Sequence, residues 1–462
     1  IDRKTSHEIA AGGSMNTAAL LGHYHADRVL AWGNGHPMTY GHFLSDVGAL
    51  ADLLPEKPTV INLADDRYRF LVGFAAALVR GQTTLLPPSR APGALAQIAR
   101  EYSNSYCLVD RTEHIEQLPS YQIPKGTQNP TDSAKVPQIP VDLPAVVAFT
   151  SGSTGHPHPH FKTWGSLVAI ARSTGARLGL KTSDQMTVVA TVPHQHMYGL
   201  EASIMLPLQH GMAFHVGRPL FPEDVRLALQ DVPSSRMLVT TPLHIRACVI
   251  AGSQLPQVEY VLSATAPLPS SLAKQAETLF HTTVYEVYGF TEAGSLATRR
   301  TINENIWHVL DGITLHQESA GCSVHAPYLR GPIPFPDLVS LQGPHRFVLH
   351  GRGKDLVNIG GHRGSLSDLS QKLNEIEGVQ DGVFFLPDDT GASVTRLIAF
   401  VVAPGKSADH ILSALRTVID PLFLPRPLHL VPSLPRNETG KLTREALLGL
   451  MQDLQKEERH GI

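Results

Sequence analysis

The chain has 462 residues, 42% hydrophobic and 17% charged, an ordinary balance for a protein with a large core and room for two to four domains at roughly 100–200 residues each. Its formal net charge of -3 and isoelectric point near 6.8 exclude a general attraction to nucleic acid or anionic membranes, so any anionic ligand has to be held by a local site. The three cysteines, Cys107, Cys248 and Cys322, are far apart and odd in number, which argues against a disulfide framework and for a reducing, cytoplasmic setting.

Residues 1–14 are polar, end in Gly-Gly-Ser and precede Met15, and they read as an expression-tag scar without the apolar core of a signal peptide. The longest apolar run, around 70–79, is about half of the roughly 18–20 residues that span a membrane. Strand-like and helix-like segments then alternate. Residues 59–63 form a short β-branched run, 69–80 a helix candidate, 83–86 a strand and 93–101 a second helix. The alternation returns at 186–192, 201–208, 236–240, 243–251, 258–262 and 272–279, with no fixed-period repeat. This pattern predicts an α/β fold with helices against largely parallel sheets. Residues 119–144, rich in Pro, Gln, Ser and Thr, read as an exposed connection. A boundary is expected near 352–354. Beyond it, strand candidates at 383–386 and 397–402 and a helix candidate at 409–419 are enough for a small α+β domain.

Val146 to Phe149 is a buried-strand signature that runs into Thr150-Ser151-Gly152-Ser153-Thr154-Gly155. Glycines let backbone N–H groups turn inward and hydroxyls add donors without bulk, which suits phosphate oxygens. Taken alone, six such residues also read as a polar loop with no ligand. A Walker A loop is disfavoured because no Gly-Lys-Ser/Thr follows at the required spacing. His156-Pro157-His158-Pro159-His160 reads as a loop flank rather than a metal site, because the prolines stiffen it and no nearby carboxylate or cysteine completes a ligand set.

With Pro157 after it, the hydroxyl loop resembles the phosphate loop of the adenylate-forming superfamily of acyl-CoA synthetases, peptide-synthetase adenylation domains and luciferases. Where that family carries lysine this chain has His158, and Lys162 is the candidate to take over its role. Tyr288-Gly289-Phe290-Thr291-Glu292 resembles the family's Tyr-Gly-x-Thr-Glu element. The resemblance implies that Tyr288 packs on adenine, Thr291 touches the α-phosphate and Glu292 holds Mg²⁺, a role that suits a hard carboxylate. Ala264-Thr265-Ala266-Pro267 resembles the small-residue segment on the other adenine face. His196, Tyr198 and Gly199 lie in a segment similar to the family's acyl-pocket element, with His196 preferred over His194 by its spacing to Gly199 and a core histidine as the bland reading. Asp337 aligns with the ribose-binding aspartate, Arg352 with a ribose or phosphate contact, Lys354 with the domain hinge, and Gly360-Gly361 with a loop beside the thiol tunnel. Leu434 to Arg444 resembles the closing motif, whose reactive lysine is Lys441, a residue that out of context reads as a solvated surface lysine.

The resemblance spans about 15–448 and implies a large N-terminal adenylation domain (15–353) followed by a small mobile C-terminal lid (354–462). It further implies an enzyme using ATP and Mg²⁺ to make an acyl-AMP and then a thioester. The run from Thr150 to Trp164 looks most like the acid–acyl carrier protein ligases of bacterial pigment clusters (xanthomonadin and aryl polyene), which points to a hydroxybenzoate-type acid and an acyl carrier protein. Met197, Tyr198 and the histidines suit a flat ring with a polar substituent. A medium-chain fatty acid, free coenzyme A as acceptor, and a catalytically inactive nucleotide-binding regulator are the alternatives. The last is opposed by the presence of both Lys441 and Glu292.

Overall fold

The computed structural model describes residues 16–460 apart from 24, 34–35, 112–117, 125, 127–134, 152–156, 182–184, 320, 353–354, 360–361, 388–395 and 438–439. The tag-like residues 1–14 and the expected domain boundary at Lys354 therefore lie outside the described residues.

Two sheets build the larger part of the chain. The first has six strands in the order Pro157–Thr163, Pro144–Ser151, Thr83–Leu86, Thr59–Asn62, Ser105–Val109 and Ser120–Gln122. Its first pair is antiparallel and its other neighbours are parallel. The second has eleven strands, and its parallel centre runs Thr283–Phe290, Tyr260–Ser263, Arg236–Thr240, Thr187–Ala190, Ala213–His215 and Val29–Trp32. Every residue of Thr187–Ala190 is buried, as expected for a strand covered on both faces. Helices Arg67–Val79 and Trp164–Arg177 pack into the same core, which includes Phe70, Phe74, Trp164 and Leu167. Side chains stop the upstream chain from continuing each helix: Asp66 caps the first by accepting from the Arg69 N–H at 2.9 Å, and Thr163 caps the second from Ser166 at 3.2 Å.

The architecture is α/β, but the expectation of largely parallel sheets needs correction. One side of the large sheet is an antiparallel wing of Gly294–Arg299, Ile306–Val309, Arg346–Arg352 and Asp337–Leu341. The stretch read as an exposed connection at 119–144 contains two short paired strands, Ser120–Gln122 and Gln138–Pro140. The helix expected at 201–208 is a π-turn, Glu201–Met205, followed by the helical segment Leu206–His210. The helix expected at 409–419 is Ala408–Leu415.

The C-terminal part forms a separate unit with its own core. Its three-stranded sheet, Asp381–Phe385, Ile398–Val402 and Leu428–Leu430, packs with helices Leu366–Asn374 and Ala408–Leu415 through Leu369, Leu373, Phe384, Ile411 and Leu415. This unit is the α+β C-terminal domain that the sequence predicts.

Gly199 shows how tightly the segment after the Thr187–Ala190 strand is folded. A Cβ built on it would lie 1.9 Å from the Pro193 carbonyl oxygen, so the chain passes over itself where no side chain fits. Gly199→Ala is expected to destabilise the protein by about 1–3 kcal/mol or more. Gly48→Ala, in helix Tyr40–Leu53 with nothing within 4 Å of its built Cβ, is expected to be neutral or to stabilise by up to about 1 kcal/mol. Urea denaturation of both variants checks the contrast, and equal effects would overturn the close-approach reading of Gly199.

Candidate active site

The parallel strands of the large sheet all end on one side, the usual position for a ligand site in such sheets. At the ends of Thr187–Ala190 and Arg236–Thr240, Thr191 Oγ1 lies 2.9 Å from Thr240 Oγ1. The Nδ1 of His244 is 3.2 Å from Thr191 Oγ1 and 3.0 Å from Thr241 Oγ1. Nδ1 thus faces two hydroxyls, each of which can donate or accept. Burial, with Arg218 nearby, lowers the His244 pKa to about 4, so the ring is neutral near pH 7. Beneath this group Arg67 is fully buried, donating to Ser203 and, at 3.2 Å, to the Ala190 carbonyl. It fixes the end of that strand. The motif reading missed His244 and Arg67; the Thr-Thr-Pro at a strand-to-helix junction was the available signal for the first.

After the Tyr260–Ser263 strand the chain enters the predicted adenine segment. Ala264 is buried, Ala266 is half-buried and Pro267 exposed, and Thr265 has φ +78°, a left-handed conformation that costs a β-branched residue energy and has to be held in place. The hold comes from behind. Buried Glu286 accepts the Leu268 N–H at 2.8 Å and the Arg299 Nε–H at 2.7 Å, with Thr301 donating to the same carboxylate.

The Thr283–Phe290 strand leads into the Thr291-Glu292 turn. Tyr288 donates to Asp337 Oδ2 at 2.6 Å and stacks on Phe335 at 5.5 Å with the rings 3° from parallel. The register pairs Asp337 directly with Arg352, of which the backbone alone is described. The structure thus brings together Tyr288, Asp337 and Arg352, three residues that the sequence assigns to one nucleotide. Gly289 sits at a bulge where a Cβ would lie 2.4 Å from the Gly294 carbonyl oxygen. Thr291 is half-buried, and the Glu292 side chain is 44% exposed.

Lys162 corrects an expectation. It lies on the Pro157–Thr163 strand, is only 3% exposed, and donates from Nζ to the Glu292 carbonyl at 2.6 Å, so it braces the turn and does not stand in for a phosphate-binding lysine. Buried Glu201 offsets part of its charge and accepts from Ser295 N–H at 3.0 Å and from Ser295 Oγ at 2.6 Å. Desolvation lowers the Lys162 pKa to about 8 and raises that of Glu201. His160 Nε2 lies 3.7 Å from Glu292 Oε1, with its pKa lowered by burial.

The two candidate acyl histidines separate clearly. His194 is buried and donates from Nε2 to the Ala64 carbonyl at 3.0 Å, with its ring 4.5 Å from Phe70, which makes it a core residue. His196 is half-buried at the start of Met197–Leu200. Tyr198 needs correction as a polar substrate contact, because its hydroxyl is buried and donates to the Leu262 carbonyl at 2.9 Å. Thr150 and Ser151 end the Pro144–Ser151 strand, opposite His158 and Pro157. Gly152, Ser153, Thr154, Gly155, Lys354, Gly360 and Gly361 lie outside the described residues.

Lys441 is exposed on a tight hairpin. Its N–H donates to Asn437 Oδ1 at 2.9 Å, the Asn437 N–H returns a 2.9 Å bond to its carbonyl, and Gly440 takes φ +77° between them. A Cβ on Gly440 would lie 3.4 Å from Thr241 Oγ1, which seats the hairpin at the strand ends beside His244.

The family model of AMP-binding enzymes matches residues 17–323, more than half of the chain. This chain belongs to the AMP-binding enzyme family. Among its relatives, the 4-coumarate–CoA ligase of Rhodobacter capsulatus is 28% identical over 267 residues, covering 58% of this chain and 65% of that protein. The 2-succinylbenzoate–CoA ligase of Oceanobacillus iheyensis is 25% identical over 333 residues, covering 65% and 68%. ATP-bound MatB from Rhodopseudomonas palustris shares the fold, with a TM-score of 0.78 at 16% identity over 92% of this chain and 96% of that one.

For an AMP-binding enzyme the residues present fit the expected ligands. Glu292 offers an accessible hard oxygen on a braced turn, as a divalent cation on phosphates requires. Among the described residues, no helix is long and apolar enough to cross a membrane.

The Lys162 shift has a measurable consequence. Its pKa is about 8 in the folded chain against an ordinary lysine value of 10.5, so between those pH values the unfolded chain binds more protons and stability rises with pH through this group. Comparing urea denaturation of the wild type and Lys162→Met at pH 8 and pH 10 should show the wild type gaining relative to the variant. A flat difference would mean that Lys162 titrates as an ordinary lysine.

Proposed function

We propose that this chain is an ATP-dependent acid–thiol ligase, forming an acyl-AMP from a carboxylic acid and passing the acyl group to a thiol. The single observation that carries the reading is the Lys441 hairpin seated against Thr241, beside the strand ends where the nucleotide residues gather.

In the first half-reaction a substrate carboxylate oxygen attacks the α-phosphorus of ATP. The bond to the bridging oxygen breaks, and pyrophosphate leaves with the electron pair. Two anions have to meet, so the chain must offset charge and hold them in line. Lys441 bridges the carboxylate and an α-phosphate oxygen. A unit-charge pair at about 4 Å in an effective dielectric near 20 is worth roughly 4 kcal/mol, close to a thousandfold in rate. Thr150 to Gly155 wrap the phosphates, Thr291 contacts the α-phosphate, and Tyr288 with the 264–267 segment flanks adenine. Asp337 and Arg352 take the ribose side. Mg²⁺ held by Glu292 supplies further charge neutralisation when bound. In the second half-reaction the C-terminal domain turns about Lys354, Lys441 leaves, and Gly360-Gly361 comes in beside the incoming thiol.

The acid is proposed to be a hydroxybenzoate-type aryl acid. Support comes from the ring-bearing acids in the names of the relatives, 4-coumarate and 2-succinylbenzoate. The thiol is proposed to be that of an acyl carrier protein, on the likeness of the Thr150 to Trp164 run to carrier-loading ligases. Coenzyme A is the second reading, favoured by the relatives named above, both of which are CoA ligases.

Pyrophosphate exchange across a panel of aryl and fatty acids, followed by thioester formation with carrier protein or coenzyme A, tests the reading. Exchange with hydroxybenzoates and acyl transfer to carrier are expected; no exchange with any acid would sink the ligase. Lys441→Ala is expected to lose exchange by roughly a thousandfold while keeping thioester formation from preformed acyl-AMP. Equal loss of both half-reactions would count against the two-orientation scheme. Glu292→Ala should raise the Mg²⁺ concentration needed for half-maximal exchange, and an unchanged Mg²⁺ titration would remove Glu292 from that role.

A further inference from the structure

The hairpin that carries Lys441 is held by a side-chain network that no motif includes. Arg436, at its base, donates through Nε to Asp381 Oδ2 and through Nη2 to Asp381 Oδ1, each at 2.8 Å. Its third nitrogen, Nη1, donates to the Gly440 carbonyl, again at 2.8 Å. Asp381 therefore fixes Arg436, and Arg436 fixes the residue before Lys441. All of these groups belong to the C-terminal domain.

One further charge reaches this network from outside. Arg246, on helix Pro242–Ala251 of the larger domain, sits with Nη1 3.2 Å from Asp381 Oδ1. The side chains of Arg246, Asp381 and Arg436 are 15%, 11% and 16% exposed, so the group is largely withdrawn from water and weakly screened. The helix is the same one whose start, Thr241 to Leu243, receives Gly440. The ion pair and the seated hairpin thus share one helix of the larger domain.

We propose that Arg246 is a positioning residue for acyl-AMP formation, holding the C-terminal domain in the orientation that presents Lys441. The inference rests on the ligase reading above. When the domain turns for the thiol step, Asp381–Arg436 travels intact and the Arg246–Asp381 pair is broken. A contact made in one orientation and absent from the other shifts the population toward the first, and its removal slows only the step that needs that orientation.

The test uses the full chain with Arg246→Ala and Arg246→Lys. Arg246→Ala should reduce pyrophosphate exchange by roughly 5- to 150-fold, while thioester formation from preformed acyl-AMP stays level or quickens. Arg246→Lys, which keeps the charge, should recover part of the exchange. A lost contact that was merely structural would depress both half-reactions, and that result, or unchanged exchange in Arg246→Ala, overturns the proposal. A second measurement needs no activity. Spin labels at Glu56→Cys and Asp409→Cys in a Cys322→Ser background report the distance between domains, and Arg246→Ala should broaden or shift its distribution. An unchanged distribution overturns the proposal. A shift in a chain whose wild type exchanges no pyrophosphate would retain the latch and reject the ligase reading.

Discussion

The bond from Lys162 Nζ to the Glu292 carbonyl, 2.6 Å long, joins the edge of the six-stranded sheet to the turn that closes the parallel centre of the eleven-stranded one. Lys162 occupies an interior position where a strand normally carries an apolar residue, and a buried ammonium is costly unless something opposes its charge. Glu201 does so from the π-turn, a local widening of the helix that recurs at functional sites. The two charges depend on each other: without Lys162, Glu201 is a buried anion, and without Glu201, Lys162 is a buried cation. Between them they grip both arms of the turn, Lys162 at Glu292 and Glu201 at Ser295. The strand that leads out of the hydroxyl loop and the carboxylate proposed for Mg²⁺ are thereby kept in fixed relation. A site that handles one triphosphate from two sheets requires that relation.

Three cations of the larger domain near this point are already committed. Lys162 serves a carbonyl, Arg299 serves Glu286, and Arg67 serves backbone carbonyls and Ser203. The two histidines buried among the described residues, His194 and His244, have pKa values depressed by desolvation and bring no charge near neutral pH. In the proposed scheme the charge that meets the acid, that of Lys441, arrives from the other domain. Such an arrangement keeps the static part of the site compatible with both half-reactions of the proposed scheme, because the group needed for one of them is removable.

Much of the fold was legible because buried parallel strands read as short apolar β-branched runs. Thr83–Leu86 and Arg236–Thr240 have the bounds that the sequence implies. The antiparallel wing was not legible, since Gly294–Arg299 and Ile306–Val309 are short and their mixed residues carry no helical or strict alternating period. The motif residues could be named because each motif keeps its chemistry within a few positions. Their supports could not: Lys162 and Glu292 are 130 residues apart, and neither local sequence points to the other. Tyr198 was misjudged for the same reason, its hydroxyl being claimed by Leu262, 64 residues away. His158, where the family carries lysine, is an exposed residue paired with Thr150, and Lys162, buried and bonded to the Glu292 carbonyl, does not make good the loss of that lysine.

The strength of the Arg246–Asp381 pair is bounded from both sides. If it is too weak, the domain spends little time with Lys441 at the strand ends, and apparent activity falls by that fraction. A pair that is too strong would halt the second half-reaction, because the domain would not turn. The composition of the network meets this constraint. Arg436 already occupies both oxygens of Asp381, so Arg246 approaches a carboxylate whose charge is largely offset and whose better hydrogen-bonding positions are taken. Its own contact is the longer one, 3.2 Å against 2.8 Å, and burial lowers its pKa while Asp381 raises it. Two arginines on one aspartate leave a net positive group, and the mutual repulsion weakens the interdomain pair before the intradomain one. In the proposed scheme the weaker link is the one that opens in each cycle.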